Sequence, residues 1–226
     1  MGDVEPKVFE VGGVKVGGRP GELPTVLIGS IFYEGDKVVK DAREGVFEKE
    51  EAEKLVKKQE ELSDKTGNPC MVDVVALSSK AMEKYLDFIS SVTEAPILID
   101  SSFAEVKLAG ARYAKEVGLL DRVIYNSISY HTKEEEIKGL KEVGVKTAVL
   151  LAFNPRNPWP EGRKEVLEGE KGLLKMAEKA GIEKPLVDAG VLDVPSIGLA
   201  LEALRLVKDC LLYTSPSPRD LSTSRM

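Results

Sequence analysis

Short apolar runs recur along the chain, separated by longer segments with the spacing of amphipathic helices. The runs are too hydrophobic for strands with one solvated face and suit strands covered on both faces. The six predicted strands are TVLIGSIF (25–32), MVDVVALS (71–78), PILIDSS (96–102), RVIYNSIS (122–129), TAVLLAF (147–153) and KPLVDAG (184–190). Four of them begin at residues 71, 96, 122 and 147, which are 25, 26 and 25 residues apart. That interval is the length of one strand plus one crossover helix, so the pattern predicts repeated βα units.

Three of the intervening segments carry clear helix signals. Residues 49–65 place Glu four positions before Lys twice, at Glu50 and Lys54 and again at Glu53 and Lys57, which indicates a solvated outer helix. A second helix is predicted to begin at Thr132, with Glu135 completing a capping box, and to end at Gly144. A third, Ser196–Lys208, is predicted to face the sheet with one apolar stripe: Ile197, Ala200, Leu201, Leu204 and Val207.

Six consecutive βα units favour a (β/α)8 barrel over a doubly wound sheet, because no glycine fingerprint for a dinucleotide follows a predicted strand. A barrel needs eight strands and about 250 residues. The predicted fold is therefore α/β, a TIM (β/α)8 barrel truncated at its C-terminus to about six βα units. Residues 1–24 are assigned to an N-terminal β-hairpin, turning at Gly12-Gly13, and a connector. Residues 25–209 form the incomplete barrel, and 210–226, rich in Ser, Thr and Pro, are a disordered tail or a translated adaptor sequence.

Composition narrows the class of function. The 226 residues carry 38 acidic and 32 basic side chains, a net charge of −6 that argues against binding to nucleic acid or to an anionic membrane. Two cysteines and one histidine are too few for a disulfide scaffold or a structural zinc, so no metal site is predicted. The sequence shows no signal peptide and no apolar run of membrane-spanning length, which indicates a cytoplasmic protein.

Polar side chains close three of the predicted strands, at the edge where α/β barrels carry their reacting groups. Asp100 ends ILID, Asn126 ends VIYN and Asp188 ends PLVD. Two carboxylates and an amide can together accept and donate hydrogen bonds along the edge of a flat heterocycle such as a pterin. Ser102, two residues after Asp100, and Ser127, directly after Asn126, are predicted to contribute to the binding. The alternative is that each polar side chain caps a helix or a turn.

Other candidate groups are weaker. Cys70 lies at the start of a strand, the wrong end for a nucleophile, and is interpreted as a core residue. His131 is interpreted as an ordinary loop residue. The segment 153–163, rich in proline and asparagine, is a candidate lid or partner-docking loop. Aromatic residues near the strand ends that could stack on a planar ligand are Phe32, Tyr33, Phe103, Tyr130, Phe153 and Trp159. No GxxxxGK[ST] or GxSxG motif is present, which disfavours a phosphate cradle or an elbow serine.

Over residues 8–209 the chain resembles the H-subunit family of tetrahydromethanopterin S-methyltransferase. The matching stretches are GGxxxGGxPGExPTVLIGSIFY (12–33), VVKDAREGVFEKEEAEKLVKKQEELSDKTGNP (38–69), LIDSS (98–102), RVIYNSIS (122–129), AFNPRNPWPEGR (152–163) and LVDAGVLDVPSIG (186–198). The resemblance extends to pterin-binding methyltransferases, whose barrel holds a methylated tetrahydropterin through an Asp, an Asn and an Asp after the third, fourth and sixth strands. The matching positions are Asp100, Asn126 and Asp188.

The resemblance implies transfer of a methyl group from methyltetrahydromethanopterin or methyltetrahydrofolate to the cobalt(I) corrinoid of a partner protein, within a coenzyme M methyltransferase system. It implies a cytoplasmic subunit that reaches a membrane complex only through its partners, and because family members often pair, a homodimer is a further expectation. The family's Asn that assists the pterin nitrogen belongs to a seventh strand, beyond the six predicted here, so the proton donor stays open between Asp188 and Asp100. Two alternatives remain: a dihydropteroate synthase-like enzyme, and a non-catalytic docking subunit of the corrinoid complex.

Overall fold

The computed structural model describes residues 7–19 and 21–208, which form an α/β fold. Its strands are β1 (Val8–Val11), β2 (Val14–Gly17), β3 (Leu27–Ile31), β4 (Val39–Asp41), β5 (Val46–Phe47), β6 (Cys70–Val75), β7 (Ile97–Asp100), β8 (Val123–Ile128), β9 (Thr147–Leu151) and β10 (Lys184–Asp188). Its helices are α1 (Lys49–Thr66), α2 (Ser79–Val92), α3 (Ala104–Glu116), α4 (Glu134–Val143), α5 (Pro160–Leu167), α6 (Leu173–Ala180) and α7 (Ile197–Val207). The tail assigned to residues 210–226 lies outside the described residues.

The main sheet has six parallel strands in the order β10-β9-β8-β7-β6-β3, so strands that follow one another in the chain are neighbours. These are the six strands that the apolar runs predict, and that prediction is confirmed. Between residues 7 and 208, residue 20 aside, no closed sheet forms, because β3 and β10 remain its two edges. The closed (β/α)8 barrel is thus not confirmed, whereas the succession of βα units is.

The two faces of the sheet have different coverings. Strand residues alternate, so that Val72 and Val74 of β6 face the helices while Met71 faces the opposite side. The helix side holds the large core, to which α1 to α7 all contribute. The opposite side, called the inner face below, carries the apolar residues Met71, Leu98, Ile124, Val149 and Leu186.

The predicted N-terminal hairpin is confirmed and covers part of the inner face. β1 and β2 pair antiparallel with Val11 opposite Val14, which leaves Gly12 and Gly13 as a two-residue turn. Both glycines have positive φ, +49° and +80°, as this tight turn requires. Val11 is buried with Met71 and Leu98 of the sheet, so the hairpin packs on the inner face of the sheet.

The prediction that the strands are buried on both faces is confirmed for the central strands and is wrong for the edge strands. β6 is buried from Cys70 through Val74, which also confirms Cys70 as a core residue. On the edge strand β3, Leu27 and Ile28 are instead half exposed, since no further strand of the described chain covers them. Hydrophobic composition alone does not distinguish an edge strand from a central one.

Helix α1 is confirmed as a solvated outer helix beginning at Lys49 and followed by Gly67 at φ +72°. Its ion pairs join residues three apart, such as Lys54 with Glu51 at 2.7 Å, rather than the predicted pair of Lys54 with Glu50. Both spacings bring side chains together on a helix surface, so the pattern identifies the face but not the partner.

The predicted capping box at Thr132 is wrong. Helix α4 begins later, at Glu134, and the Thr132 hydroxyl accepts a hydrogen bond from the Ser129 N–H at 2.9 Å within the preceding turn. Its predicted end is confirmed, because Gly144 follows with a left-handed φ of +87°.

The predicted apolar stripe of α7 is also wrong. Ala200 and Val207 are buried as expected, but Leu201 and Leu204 are exposed. Ala200 and Ala203 pack with Ala189, the residue after β10. Small residues therefore form the contact face of α7, and Leu201 and Leu204 lie outside it.

A small antiparallel hairpin, β4 and β5, lies between β3 and α1 and has no counterpart among the sequence predictions. Its Phe47 joins an aromatic cluster in which Phe32 stacks on Tyr85 at 4.1 Å between ring centroids. Phe32, a candidate for ligand stacking, is thus a core residue, and burial raises the pKa of Tyr85 to about 12.

Candidate functional site

The candidate polar residues lie on the inner face because strand alternation directs them there. In β7, Ile97 and Ile99 face the helix core, so Asp100 falls on the face of Leu98. Asp100 is the register partner of Asn126 in the β7–β8 ladder. In β10, Val187 packs toward the helices, which places Asp188 on the inner side. Asp100 and Asp188 are the last residues of their strands, whereas Asn126 lies two residues before the end of β8, level with Asp100. All three lie on the same face of the sheet.

Asp73 is the central acid of this cluster, and sequence reasoning missed it. The carboxyl is buried on β6, where it accepts a hydrogen bond from the Ser30 hydroxyl at 2.8 Å and another from the Asn126 amide at 3.2 Å. Burial raises the pKa of Asp73, although the two hydrogen bonds oppose that rise. The available signal was a single acidic residue inside the apolar strand MVDVVALS.

Asp100 lies close enough to Asp73 for the two carboxyls to influence each other. Burial raises the pKa of Asp100 to about 6, and the negative charge of Asp73 adds to that rise. The positive charge of Lys107 and a backbone hydrogen bond from Ser101 oppose it. Near neutral pH a fraction of the Asp100 carboxyl therefore carries a proton.

Asp188 stands apart from this hydrogen-bonded group. Its carboxyl is exposed and accepts a hydrogen bond from the Gly190 N–H at 2.7 Å, which is the turn role that the alternative interpretation assigns.

The two candidate serines differ in burial: Ser102 is exposed after β7, and Ser127 is half buried after Asn126 in β8. The Asn126–Ser127 peptide bond is cis.

A cavity of about 650 Å³ opens on the inner face. Asp73, Asn126, Asp188 and Ser30 supply polar groups to its wall. Asp100 lies two positions beyond Leu98, the register partner of Asp73, toward the carboxyl ends of the strands. The apolar part of the wall includes Met71, Leu98, Ile124, Val149 and Leu186. An apolar wall with a few converging polar groups is typical of a pocket for a small organic ligand.

Arg163 joins two of the loops beside the cavity, and sequence reasoning did not identify it. Its side chain is 1% exposed, although it belongs to the polar segment FNPRNPWPEGR. The guanidinium donates to the carbonyls of Pro158 at 3.0 Å and Gly190 at 2.6 Å, and also to that of Ala189. It thereby connects the loop after β9 to the turn that follows Asp188.

The loops at the carboxyl edge of the sheet carry exposed apolar side chains, which we call the apolar rim. Trp159 is 60% exposed and Val194 is 80% exposed. The other members are Tyr33, Phe103, Tyr130, Val191 and Leu192. His131, next to Tyr130, is exposed in a turn, as predicted for an ordinary loop residue. Every loop that follows one of β3, β7, β8, β9 and β10 contributes to the rim.

The raised pKa of Asp100 predicts a defined dependence of stability on pH. Because the folded carboxyl titrates near pH 6 and an unfolded one near about 4, the folded state binds more protons in between, so the free energy of unfolding falls as pH rises through that window. Asp100→Asn should remove this fall and raise stability above pH 6 by about 1–2 kcal/mol, less than the full shift implies since the side chain is partly solvated.

Urea unfolding at pH 4 to 7.5 measures this difference, with Asp64→Asn on the exposed face of α1 as the control for a lost charge. A stability difference between Asp100→Asn and the starting protein that stays constant across this pH range would contradict the assignment.

Fold and site together define an α/β protein with a cavity on the inner face of a parallel sheet, lined by apolar side chains and by the acidic residues Asp73 and Asp188. The comparisons with known proteins are more specific. The family model described as the tetrahydromethanopterin S-methyltransferase MtrH subunit matches residues 4–218. The chain belongs to this family, which confirms the resemblance.

Curated relatives agree with the family model. The chain is 50% identical over 190 residues to the H subunit of tetrahydromethanopterin S-methyltransferase from Methanopyrus kandleri, covering 81% of this chain and 59% of the relative. It is 46% identical over 194 residues to the H subunit of the same enzyme from Methanothermobacter thermautotrophicus, covering 84% and 63%. The H subunit of a putative mtx methyltransferase from Methanosarcina mazei is 42% identical over 192 residues, covering 83% and 62%. The chain thus spans about 60% of the length of these relatives.

Among the helices of the part of the chain that the structure describes, none is both long and apolar enough to cross a membrane.

Proposed function

We propose that the chain binds a methylated tetrahydropterin and takes part in transferring its methyl group, as a methyltransferase subunit. The observation that carries this proposal is the cluster of three polar residues on the inner face: Asp73 and Asn126 are hydrogen-bonded to each other, and Asp100 lies beside them. It occurs in a member of a family whose curated relatives are named as H subunits of tetrahydromethanopterin S-methyltransferase. The methyl donor is methyltetrahydromethanopterin, with methyltetrahydrofolate as the other candidate.

The apolar wall of the cavity and its carboxylate and amide groups suit a planar heterocycle. The apolar wall can lie against the ring faces, while carboxylate and amide groups meet the ring edge. An ionised Asp accepts hydrogen bonds from ring N–H groups, and Asn can both donate and accept. Asp188 and Asn126 line the cavity. The further proposed binding residues are Asp100 and Ser102, at and just after the end of β7, and Ser127 in β8.

Asp100 is the better of the two candidates for the proton donor that methyl transfer requires. Transfer breaks the bond between the methyl carbon and the pterin nitrogen, whose electron pair stays on nitrogen and takes up a proton. A carboxyl with a pKa of about 6 holds that proton in part of the molecules near neutral pH. The acceptor is the cobalt(I) corrinoid of a partner protein, which supplies the nucleophile.

We further propose that the six βα units belong to a (β/α)8 barrel. Neighbouring strands follow chain order, the helices cover one face, and Asp73, Asp100 and Asn126 lie in the carboxyl-terminal halves of β6, β7 and β8. These are the features of consecutive barrel units. The hairpin β1–β2 would then cover the opposite, amino-terminal end of the barrel interior.

The apolar rim is proposed as the surface that receives the corrinoid-bearing partner, because it lies in the loops at the carboxyl edge of the sheet, beside the proposed binding residues Asp100 and Asp188. Association with a membrane complex would occur through partner subunits only, from a cytoplasmic position.

Trp159→Ser should weaken the complex with the corrinoid-bearing partner about tenfold, as expected for the loss of a large exposed anchor. Titration of the labelled partner measures this, and Leu55→Ser, an exposed apolar position on α1, is the matched control. Equal affinity of both variants would exclude Trp159 from the contact.

The decisive experiment titrates the full chain with methyltetrahydromethanopterin and with methyltetrahydrofolate by calorimetry, then adds cob(I)alamin and follows methylcobalamin formation by absorbance. Binding with transfer supports the proposal. Binding of neither donor contradicts it and favours the docking subunit. Phosphate release from a pterin pyrophosphate in the presence of aminobenzoate would favour the dihydropteroate synthase-like alternative instead.

A further inference from the structure

A buried ionic network lies behind β8, on the side away from the cavity. Lys107 of α3 and Glu136 of α4 are each only 7% exposed, and their charged groups are 3.1 Å apart. The Tyr125 hydroxyl donates to the Glu136 carboxylate at 2.5 Å, and the Lys107 ammonium lies 4.6 Å from the centre of the Tyr125 ring. These contacts connect two helices to a single strand.

The network fixes the backbone on both sides of Asn126. Tyr125, the preceding residue, is tied to Glu136, and the carbonyl of Ser127, the following residue, accepts a hydrogen bond from Lys107 at 2.8 Å. The β8–β9 register is irregular between Tyr125 and Ile128, so the regular ladder does not define the backbone there. Lys107 therefore provides a fixed contact where the sheet itself does not.

Stability alone is a poor explanation for such a pair. Removing two opposite charges from water costs free energy that their attraction often fails to recover, and apolar residues of the same size are frequently as stable. A role in geometry and local charge accounts for the placement better. Lys107 acts in both ways, since it touches the backbone beside Asn126 and its charge also reaches Asp100.

We propose that Lys107, held by Glu136 and Tyr125, is a positioning residue for the site: it fixes the Asn126 side chain toward Asp73 and supplies the positive charge that faces Asp100. The importance of this role for methyl transfer rests on the proposed function. The positioning itself does not, because it concerns contacts within the chain.

The groups that act on Asp100 set the direction of the expected effects. Asp73 on β6 raises its pKa, whereas Lys107 on α3 and the Ser101 backbone lower it. Lys107→Met should therefore raise the pKa of Asp100 by about one unit. Glu136→Gln, which removes the negative charge that partners Lys107, should shift that pKa the other way.

The test follows the Asp100 carboxyl carbon and the Asn126 side-chain amide by NMR across pH 4 to 8 in the full chain, without ligand. Lys115→Met, an exposed lysine on the same helix, is the control and should move neither signal. Opposite shifts for Lys107→Met and Glu136→Gln, with a displaced Asn126 amide signal in the first, support the proposal. A purely structural pair would leave the Asp100 titration unchanged in both variants, and that result overturns it.

Because Lys107→Met leaves the Glu136 carboxylate buried without its counter-charge, the double variant Lys107→Met/Glu136→Gln is measured as well. The double variant should fold, and its Asp100 pKa should be higher than that of the starting protein. An Asp100 pKa equal to that of the starting protein would contradict the proposal. Donor titration of the starting protein and of the same variants distinguishes a failure of the proposed function from a failure of the positioning role of Lys107. If the starting protein binds no pterin but the NMR shifts occur, the proposed function fails and the positioning role stands.

Discussion

Asn126→Ala is expected to lower the affinity for methylated tetrahydropterin by roughly 100-fold, about 2.7 kcal/mol. Asn126 is the only one of the sequence-predicted site residues that both lines the cavity and hydrogen-bonds a buried acid, Asp73, within the described chain. The substitution removes a ligand contact and leaves the Asp73 carboxyl with Ser30 as its remaining side-chain donor. Calorimetric titration with the donor measures the loss.

The matched control is Asn68→Ala, an asparagine in the turn between α1 and β6, at the amino-terminal edge of the sheet. It should leave donor affinity within twofold of the starting protein. Far-ultraviolet circular dichroism should show the same helix content for both variants, because neither side chain belongs to the hydrophobic core. Unchanged donor affinity in Asn126→Ala would remove Asn126 from the site and weaken the case for a pterin on the inner face.

The candidate residues near the strand ends could be located from the sequence because two observations agree there: a polar residue follows an apolar run, and consecutive βα units predict parallel strands. Asp100, Asn126 and Asp188 each follow an apolar run, and parallel strands bring such positions to one edge. Asp73 escaped the same reasoning because it lies within its strand, three residues after Cys70. Its role depends on register with Ser30 on β3 and on proximity to Asn126 on β8, and neither can be deduced from one strand alone.

The errors at α7 and β3 have a common physical origin. A periodic pattern shows which residues share a face, but the neighbouring element decides whether that face is covered. On α7 the contact is made through Ala200 and Ala203, so the larger Leu201 and Leu204 remain exposed. On β3 the edge position exposes Leu27 and Ile28 despite a sequence as apolar as that of a central strand.

The same limit explains why Lys107 and Arg163 could not be found from the sequence. Each is a basic residue in a polar or amphipathic segment, where a solvated side chain is the ordinary expectation. Burial results from partners that are distant in the chain, Glu136 for the first and the carbonyls after β10 for the second. Both residues lie beside the proposed site, one behind Asn126 and the other behind the turn of Asp188.

Arg163→Met is expected to lower the free energy of unfolding by about 3–5 kcal/mol, because methionine fills much of the space but leaves the carbonyls of Pro158, Ala189 and Gly190 without their donor. Arg163→Lys retains the charge and part of the hydrogen bonding, so about half that loss is expected.

Urea denaturation measures both changes, with Arg156→Met, an exposed arginine of the loop between β9 and α5, as a control that should change stability by less than about 0.5 kcal/mol. Since Ala189 and Gly190 directly follow Asp188, donor affinity should fall in parallel with stability in the Arg163 variants. If Arg163→Met were as stable as the starting protein, the cost of burying the guanidinium would equal the value of its hydrogen bonds. Its contribution would then lie only in the position of Asp188, which donor titration of that stable variant would still detect.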